Sequence, residues 1–411
     1  MSAAESKSDE QGKKKEPVRD FTEQEEIIQT LQRIDASLQA MSTTPTVPLS
    51  HYRVLPDATK EAYEILEQGA ALIHGTSTKY TLLGKLDTVE QTKMSRDLRQ
   101  GCELIATACL VLHEKSTGSS HSLRKHVVQA SRAIVATTIH LLEAYTHGDA
   151  LTTSQHDLGA QKTGAVWQMC SAVLDKKVPV GNRNAMRRDL LTYAMECQET
   201  MDEFQELVDQ GPANDIDEPK TGAASNGDNG DSWEAFLSGQ CDQYTTLKEL
   251  AIAEAALSIL KISRGTIKLS LQACDAVGDP MKESSPTEEE KPPMTERFAR
   301  LEWMRLLHEE CCAVGEGVTD LGTAMYPPLK LSDVSSQLSK QMNRLEKVLD
   351  HVLDATITVH DKETESDRFI PLDLHVDVSS MAGKLKAAFS KRKEGACDAL
   401  SASGCTIEEG S

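Results

Sequence analysis

An all-α fold is predicted for this chain by three features of its sequence. Apolar residues recur at alternating spacings of four and three in segment after segment, which places them on one face of a helix. No segment sustains a strict every-other-residue alternation between turn residues, the pattern of a half-buried strand. Prolines gather between the periodic stretches, at Pro45 and Pro48, at Pro179, and at Pro327-Pro328. There the missing N–H and the ring clash, costing about 3 kcal/mol inside a helix, force the chain to turn.

Taken in order, residues 1–20 are charged and low in complexity, with Lys13-Lys14-Lys15 the only basic run, and are expected to be disordered. Thr22-x-x-Glu25 reads as a capping box ahead of Ile27, Leu31, Ile34, Leu38 and Met41. A second helix follows Asp57, a plausible N-cap, with Ala62, Ile65, Gly69 and Leu72 on its inner face. A third carries Leu98, Cys102, Ile105, Cys109 and Leu112, and a fourth Leu123, Val127, Ala130, Ile134 and Leu141. Short connections make such helices antiparallel neighbours. Trp167, Cys170 and Val173 precede a break at Val178-Pro179-Val180-Gly181, and a long helix then runs through Leu190, Cys197, Met201 and Phe204.

Periodicity is lost from Gln210, and residues 210–231 are expected to form a flexible acidic linker. Two helices with heptad-like rows follow, one through Ala253, Leu257, Leu260 and Ile267, one capped by Thr295 through Leu301, Met304, His308, Cys311, Gly315 and Val318. A polar loop over 278–294 separates them. Beyond Tyr326-Pro327-Pro328, Val334 to Val352 forms another helix, and Ile370 to Phe389 a last one. Leu372–Val378 comes closest to a strand, but without a second strand a helix start or extended arm is expected there. The predicted architecture is two antiparallel helical bundles, 21–209 and 232–390, with a disordered tail over 391–411.

Composition narrows the function. The 411 residues carry a net charge of −20, against the clustered Lys and Arg that nucleic-acid binding requires. Aromatic residues make up 4%, too few for base-stacking platforms. The ten cysteines include no C-x-x-C pair, and several sit at helical core spacing, where thiols act as small hydrophobes in a reducing compartment. No apolar run is long enough to span a membrane.

No catalytic, cofactor-binding or metal-ligating set emerges. His308, Cys311 and Cys312 share one helix face, but structural zinc needs four ligands and no second Cys/His pair at ligand spacing is read elsewhere, so core packing with one surface thiol is expected. His121 and His126, five apart, fall on different faces, with His140 beyond, and a shared metal is not expected. Paired acids such as Glu25-Glu26 and Glu309-Glu310 lack the burial that splits two pKa values. Phosphate-binding glycine loops and the GxSxG elbow are absent. No enzyme activity, small-molecule substrate or cofactor is therefore expected. Ser285-Pro286 and Thr287 followed by three glutamates suit proline-directed and acid-directed phosphorylation.

The join between the last helices resembles a known family. Asp320-Leu321 and Met325-Tyr326-Pro327-Pro328-Leu329 are similar to the Asp-Asp-Leu…Ile-Tyr-Pro-Pro stretch of the cyclin-D-binding (GCIP or Maid-like) proteins. Val166-Trp167 with Cys170, then Pro179 and Asn182/Asn184, resembles that family's Trp…Cys…Ile-Pro-Arg-Asp-Asn region. Phe369-Ile370-Pro371-Leu372 resembles its Trp-Ile-Pro-Leu, with Phe369 in place of Trp. The likeness runs from about Tyr63 to Phe389. It implies a helical regulator of nucleus and cytoplasm that binds D-type cyclins or helix-loop-helix factors and restrains cell-cycle entry and transcription. These motif residues are expected to be structural, with Tyr326 closing one helix while the prolines aim the next. The rival reading from architecture alone is a vinculin- or α-catenin-like cytoskeletal adaptor.

Overall fold

The computed structural model describes residues 22–42, 58–83, 88–114, 117–146, 156–212, 243–278, 293–361 and 366–404. Ten helices occur among them: α1 Thr22–Ser42, α2 Ala58–Leu83, α3 Thr88–His113, α4 His121–Thr146, α5 His156–Leu174, α6 Asn182–Asp209, α7 Leu247–Val277, α8 Met294–Ala324, α9 Leu331–Leu353 and α10 His375–Ala402. The all-α expectation holds, with one addition. Strands β1 (Thr356–Asp361) and β2 (Ser366–Pro371) pair antiparallel from Thr356↔Pro371 to Asp361↔Ser366.

Contacts divide the described residues into two compact units, the first holding those up to 42, within 60–111 and within 127–178, the second Ala58, Thr59, those within 112–126 and those from Pro179 on. In the first, the row Leu98, Cys102, Ile105 and Cys109 is fully buried, as its spacing requires. Helices α2 and α3 cross through glycine: a Cβ on Gly69 would lie 2.8 Å from the Gly101 carbonyl oxygen. Polar ties fix the remaining pairs. Gln24 of α1 donates to Thr92 of α3 at 2.8 Å. Arg132 of α4 reaches Asp35 of α1 at 3.0 Å, and the buried rings of Tyr80 and Tyr145 meet edge-on at 5.1 Å.

The second unit is built on α6 to α10. The α8 row Leu301, Met304, His308, Cys311, Gly315, Val318 and Gly322 is buried throughout, as is the α9 row Val334, Leu338, Met342, Leu345, Leu349 and Val352. Glycine again permits close packing: Tyr193 of α6 fills the place of a side chain on Gly315, where a Cβ would come within 2.1 Å of its ring. Gln341 of α9 threads the core, donating to Ser263 at 2.9 Å and to the Val314 carbonyl at 3.0 Å.

Several expectations are corrected. Helix α6, drawn with the first bundle, buries Leu190, Cys197, Met201 and Phe204 in the core of the second unit. Its apolar stripe is matched by α7 and α8, which a boundary set at the polar linker could not reveal. The hairpin was not anticipated because β2 is solvated along most of both faces, so nothing alternates. Phe369 to Pro371 belong to it, and the last helix starts at His375 rather than near Ile370. That helix runs through Ala402, not ending near 390, because Phe389, Ala396 and Leu400 continue its buried face beneath the charges of 391–394. Thr295 does not cap α8; Pro293 holds the N-cap position without a side-chain bond. The linker 213–231, most of the 278–294 loop, residues 1–20, Ser285 and Thr287 lie outside the described residues.

Candidate functional site

Among the described residues, a cluster of chemically capable side chains lies where α4, α6 and α8 meet within the second unit. The approach to α4 is fixed first. Asn182, the first residue of α6, accepts from the Ser120 N–H at 2.6 Å and donates to the Gly118 carbonyl at 3.0 Å. Ser120 then caps α4, its hydroxyl accepting from the Leu123 N–H at 3.2 Å. That placement presents Ser122 and His126, four residues apart, on one face of the first turns of α4.

Both point at Asp189 of α6. Its carboxylate accepts from the Ser122 hydroxyl at 2.6 Å, from His126 Nε2 at 2.8 Å, and from His308 Nε2 of α8 at 3.0 Å. Burial works to raise the Asp189 carboxyl, but these hydrogen bonds outweigh it and hold the group well below the usual carboxylate range. Cys312, one turn beyond His308, sits 3.5 Å from its Nε2, and burial followed by the Asp189 charge pushes the thiol up to about 12. A cavity of about 270 Å³ opens beside the cluster, lined in part by Lys125, Tyr193, Arg305 and Glu316. Arg305 is committed to Glu302 and Glu309.

What this arrangement can do is constrained by its topology. A Ser-His-Asp relay needs imidazole between hydroxyl and acid, so that the base takes the nucleophile's proton. Here the hydroxyl and both imidazoles converge on the acid. Ser122 spends its proton on a carboxylate too weakly basic to remove it, and the Cys312 thiol is not poised to ionise. Among the described residues no group of three or more His, Cys, Asp or Glu is arranged to hold a metal ion. Asp189 acts as a clasp across three helices.

The residues singled out in the sequence take separate places. Trp167 is partly exposed, stacked on His74 at 5.8 Å and donating to Thr78 at 3.2 Å. Pro179 is buried in the turn before α6. Leu321 is fully buried, and Asp320 faces outward 3.8 Å from Arg344. Tyr326 is 48% exposed: its ring meets Phe204 edge-on at 5.1 Å and its hydroxyl bonds Glu203. It packs at the end of α8, over the surface rather than in the core. Pro327 and Pro328 make the turn into α9, while Phe369, 69% exposed, and Pro371 lie on the hairpin. His308 and Cys311 are buried and Cys312 is half-buried, so the expectation of core packing holds for the first two. His308 also ties to Asp189, which sequence reasoning passed over. Its signal was an acid on the stripe of Met186, Leu190 and Tyr193, where helical spacing calls for an apolar residue.

Residues 65–210 match the family model described as "Grap2 and cyclin-D-interacting, N-terminal". No curated protein matches the chain. Among the described residues no helix is long and apolar enough to cross a membrane.

Proposed function

We propose, from the premise that this chain is a member of the GCIP, or cyclin-D-binding, family, that it is a non-enzymatic regulator acting by protein–protein contact. In this reading it binds a D-type cyclin or a helix-loop-helix factor in nucleus and cytoplasm. By occupying that partner it restrains cell-cycle progression or transcription. The observation that carries the reading is the family match over residues 65–210, which spans α3 to α5 and all of α6.

Two features support it. The Asp189 cluster engages its own hydroxyl and imidazoles in internal hydrogen bonds to the carboxylate, rather than in a relay that would activate a nucleophile. Long helices also offer extended surfaces for helix-in-groove recognition. The test is retention of purified D-type cyclins and helix-loop-helix proteins on the immobilised full chain at moderate salt. Retention of either class supports the reading, and failure of both removes it. Microscopy separates the adaptor alternative, which requires filament- or junction-associated signal in place of diffuse nuclear and cytoplasmic signal.

A further inference from the structure

Helix α6 is charged against its own dipole. Arg183, Arg187 and Arg188 stand in its N-terminal turns, and after them the sequence has no Lys or Arg until Lys220. Its first turn holds no acid and its last turn no base. A helix favours the opposite arrangement, because its C-terminal carbonyls repel anions. Glu196, Glu199, Asp202, Glu203, Glu206 and Asp209 nonetheless crowd that end at three- and four-residue spacing, which places all six on one solvent-facing side. Like charges so spaced repel one another.

Among the described residues no cation relieves the repulsion. Among the described residues none of the six pairs with a Lys or Arg. Asp202 and Asp209 accept only from Gln198 and Gln205 of the same helix, at 2.5 and 2.8 Å. Glu203 takes the Tyr326 hydroxyl. Lys261 of α7 comes near but bonds the Gln205 side-chain oxygen at 2.9 Å. Some other acids of the unit are matched, among them Asp275 with Arg183 and Arg187, and Glu346 with Lys386 and Lys393. On the same side of α6, Leu191 is 43% exposed and Met195 65% exposed, one turn apart. An apolar ridge thus leads into an acidic stripe about four turns long.

We propose that this face of α6 is a docking surface for a basic amphipathic helix of a partner protein. Such a helix would seat apolar residues on Leu191 and Met195 and lay Lys and Arg, spaced three and four apart, along the carboxylates. Charge complementarity selects this occupant. Nucleic acid and anionic membranes are repelled by the same stripe, and the described residues offer no metal-holding cluster. The inference does not rest on the cyclin reading, since it names the chemistry of the surface whichever protein supplies the helix.

The experiment measures fluorescence anisotropy of the full chain with two synthetic peptides of identical composition. One gathers its Lys and Arg on one helical face behind a pair of leucines; the other spreads them around the helix. The wild type is compared with the double reversal Glu199→Lys/Glu206→Lys and with a control reversal on exposed α10 positions, Glu394→Lys/Asp398→Lys. Circular dichroism verifies that each remains helical, and Glu199→Gln/Glu206→Gln serves as the milder pair. The patterned peptide is expected to bind roughly ten-fold tighter than its isomer, and to lose roughly ten-fold on α6 reversal but less than about two-fold on α10 reversal. Met195→Ser is expected to weaken binding even at high salt, where charge attraction is screened. Equal affinity for the two peptides, equal loss in the two reversals, or absence of binding would overturn the proposal.

Discussion

Asp189 and His308, 119 positions apart in the chain, meet at 3.0 Å and share their carboxylate with His126 and Ser122. Removing the acid leaves three polar side chains with their common acceptor gone. Asp189→Ala is expected to cost about 3–5 kcal/mol, as for one partner lost from a buried ionic cluster. Asp189→Asn keeps the shape and is expected to cost about 1–3 kcal/mol. Urea denaturation reads both; an unchanged midpoint for Asp189→Ala would show that the clasp bears no load.

The same residue predicts a pH response. Its folded carboxyl is held well below the usual range, against about 3.9 in an unfolded chain. A depressed acid contributes stability that is present above the unfolded value and lost as pH falls through the folded one. The advantage of wild type over Asp189→Asn should therefore shrink as pH is lowered from about 5 towards 2. Denaturation series at several pH values test this, and a difference that stays constant to the acid limit would contradict it.

Glycine substitutions separate close packing from helix propensity. A Cβ on Gly69 would meet the Gly101 carbonyl at 2.8 Å and Ile105 at 2.9 Å, so Gly69→Ala must push α2 from α3 and should destabilise by about 1–3 kcal/mol. Gly75, one and a half turns on, has nothing within 4 Å. Gly75→Ala should stabilise by up to about 1 kcal/mol through helix propensity. Thermal melts of the two variants should move in opposite directions.

Tyr326 divides architecture from surface chemistry. A buried ring would make Tyr326→Ala cost about 3–5 kcal/mol. With the ring half exposed and its hydroxyl on Glu203, a loss of only about 1 kcal/mol is expected, close to the value of one hydrogen bond. Chemical denaturation of Tyr326→Phe and Tyr326→Ala provides the measurement, and a cost above about 3 kcal/mol would place the ring in the core.

Helical periodicity carried most of the fold because each buried row is written in one stretch of sequence. The α8 row from Leu301 to Gly322 and the α9 row from Val334 to Val352 were legible for that reason. What a row packs against is not local, so α6 could be drawn with the wrong unit. The hairpin escaped because one of its strands is solvated on both faces, and the end of α10 because charged residues cover a buried face that continues to Leu400. The Asp189 cluster draws on residues 122, 126, 189 and 308, and no local pattern joins them. His308 was read correctly as buried, but its partner on α6 exists only in three dimensions. The acidic stripe of α6 is visible as composition; its significance depends on which side of the helix faces solvent and on no cation among the described residues meeting it.

The central claim is that this chain works by binding a regulatory protein. It is tested most directly by isothermal titration of the purified full chain with purified D-type cyclins and helix-loop-helix proteins at moderate salt. A saturable complex with at least one of them is the predicted result. Flat titrations across both classes, from protein verified as folded, would contradict it.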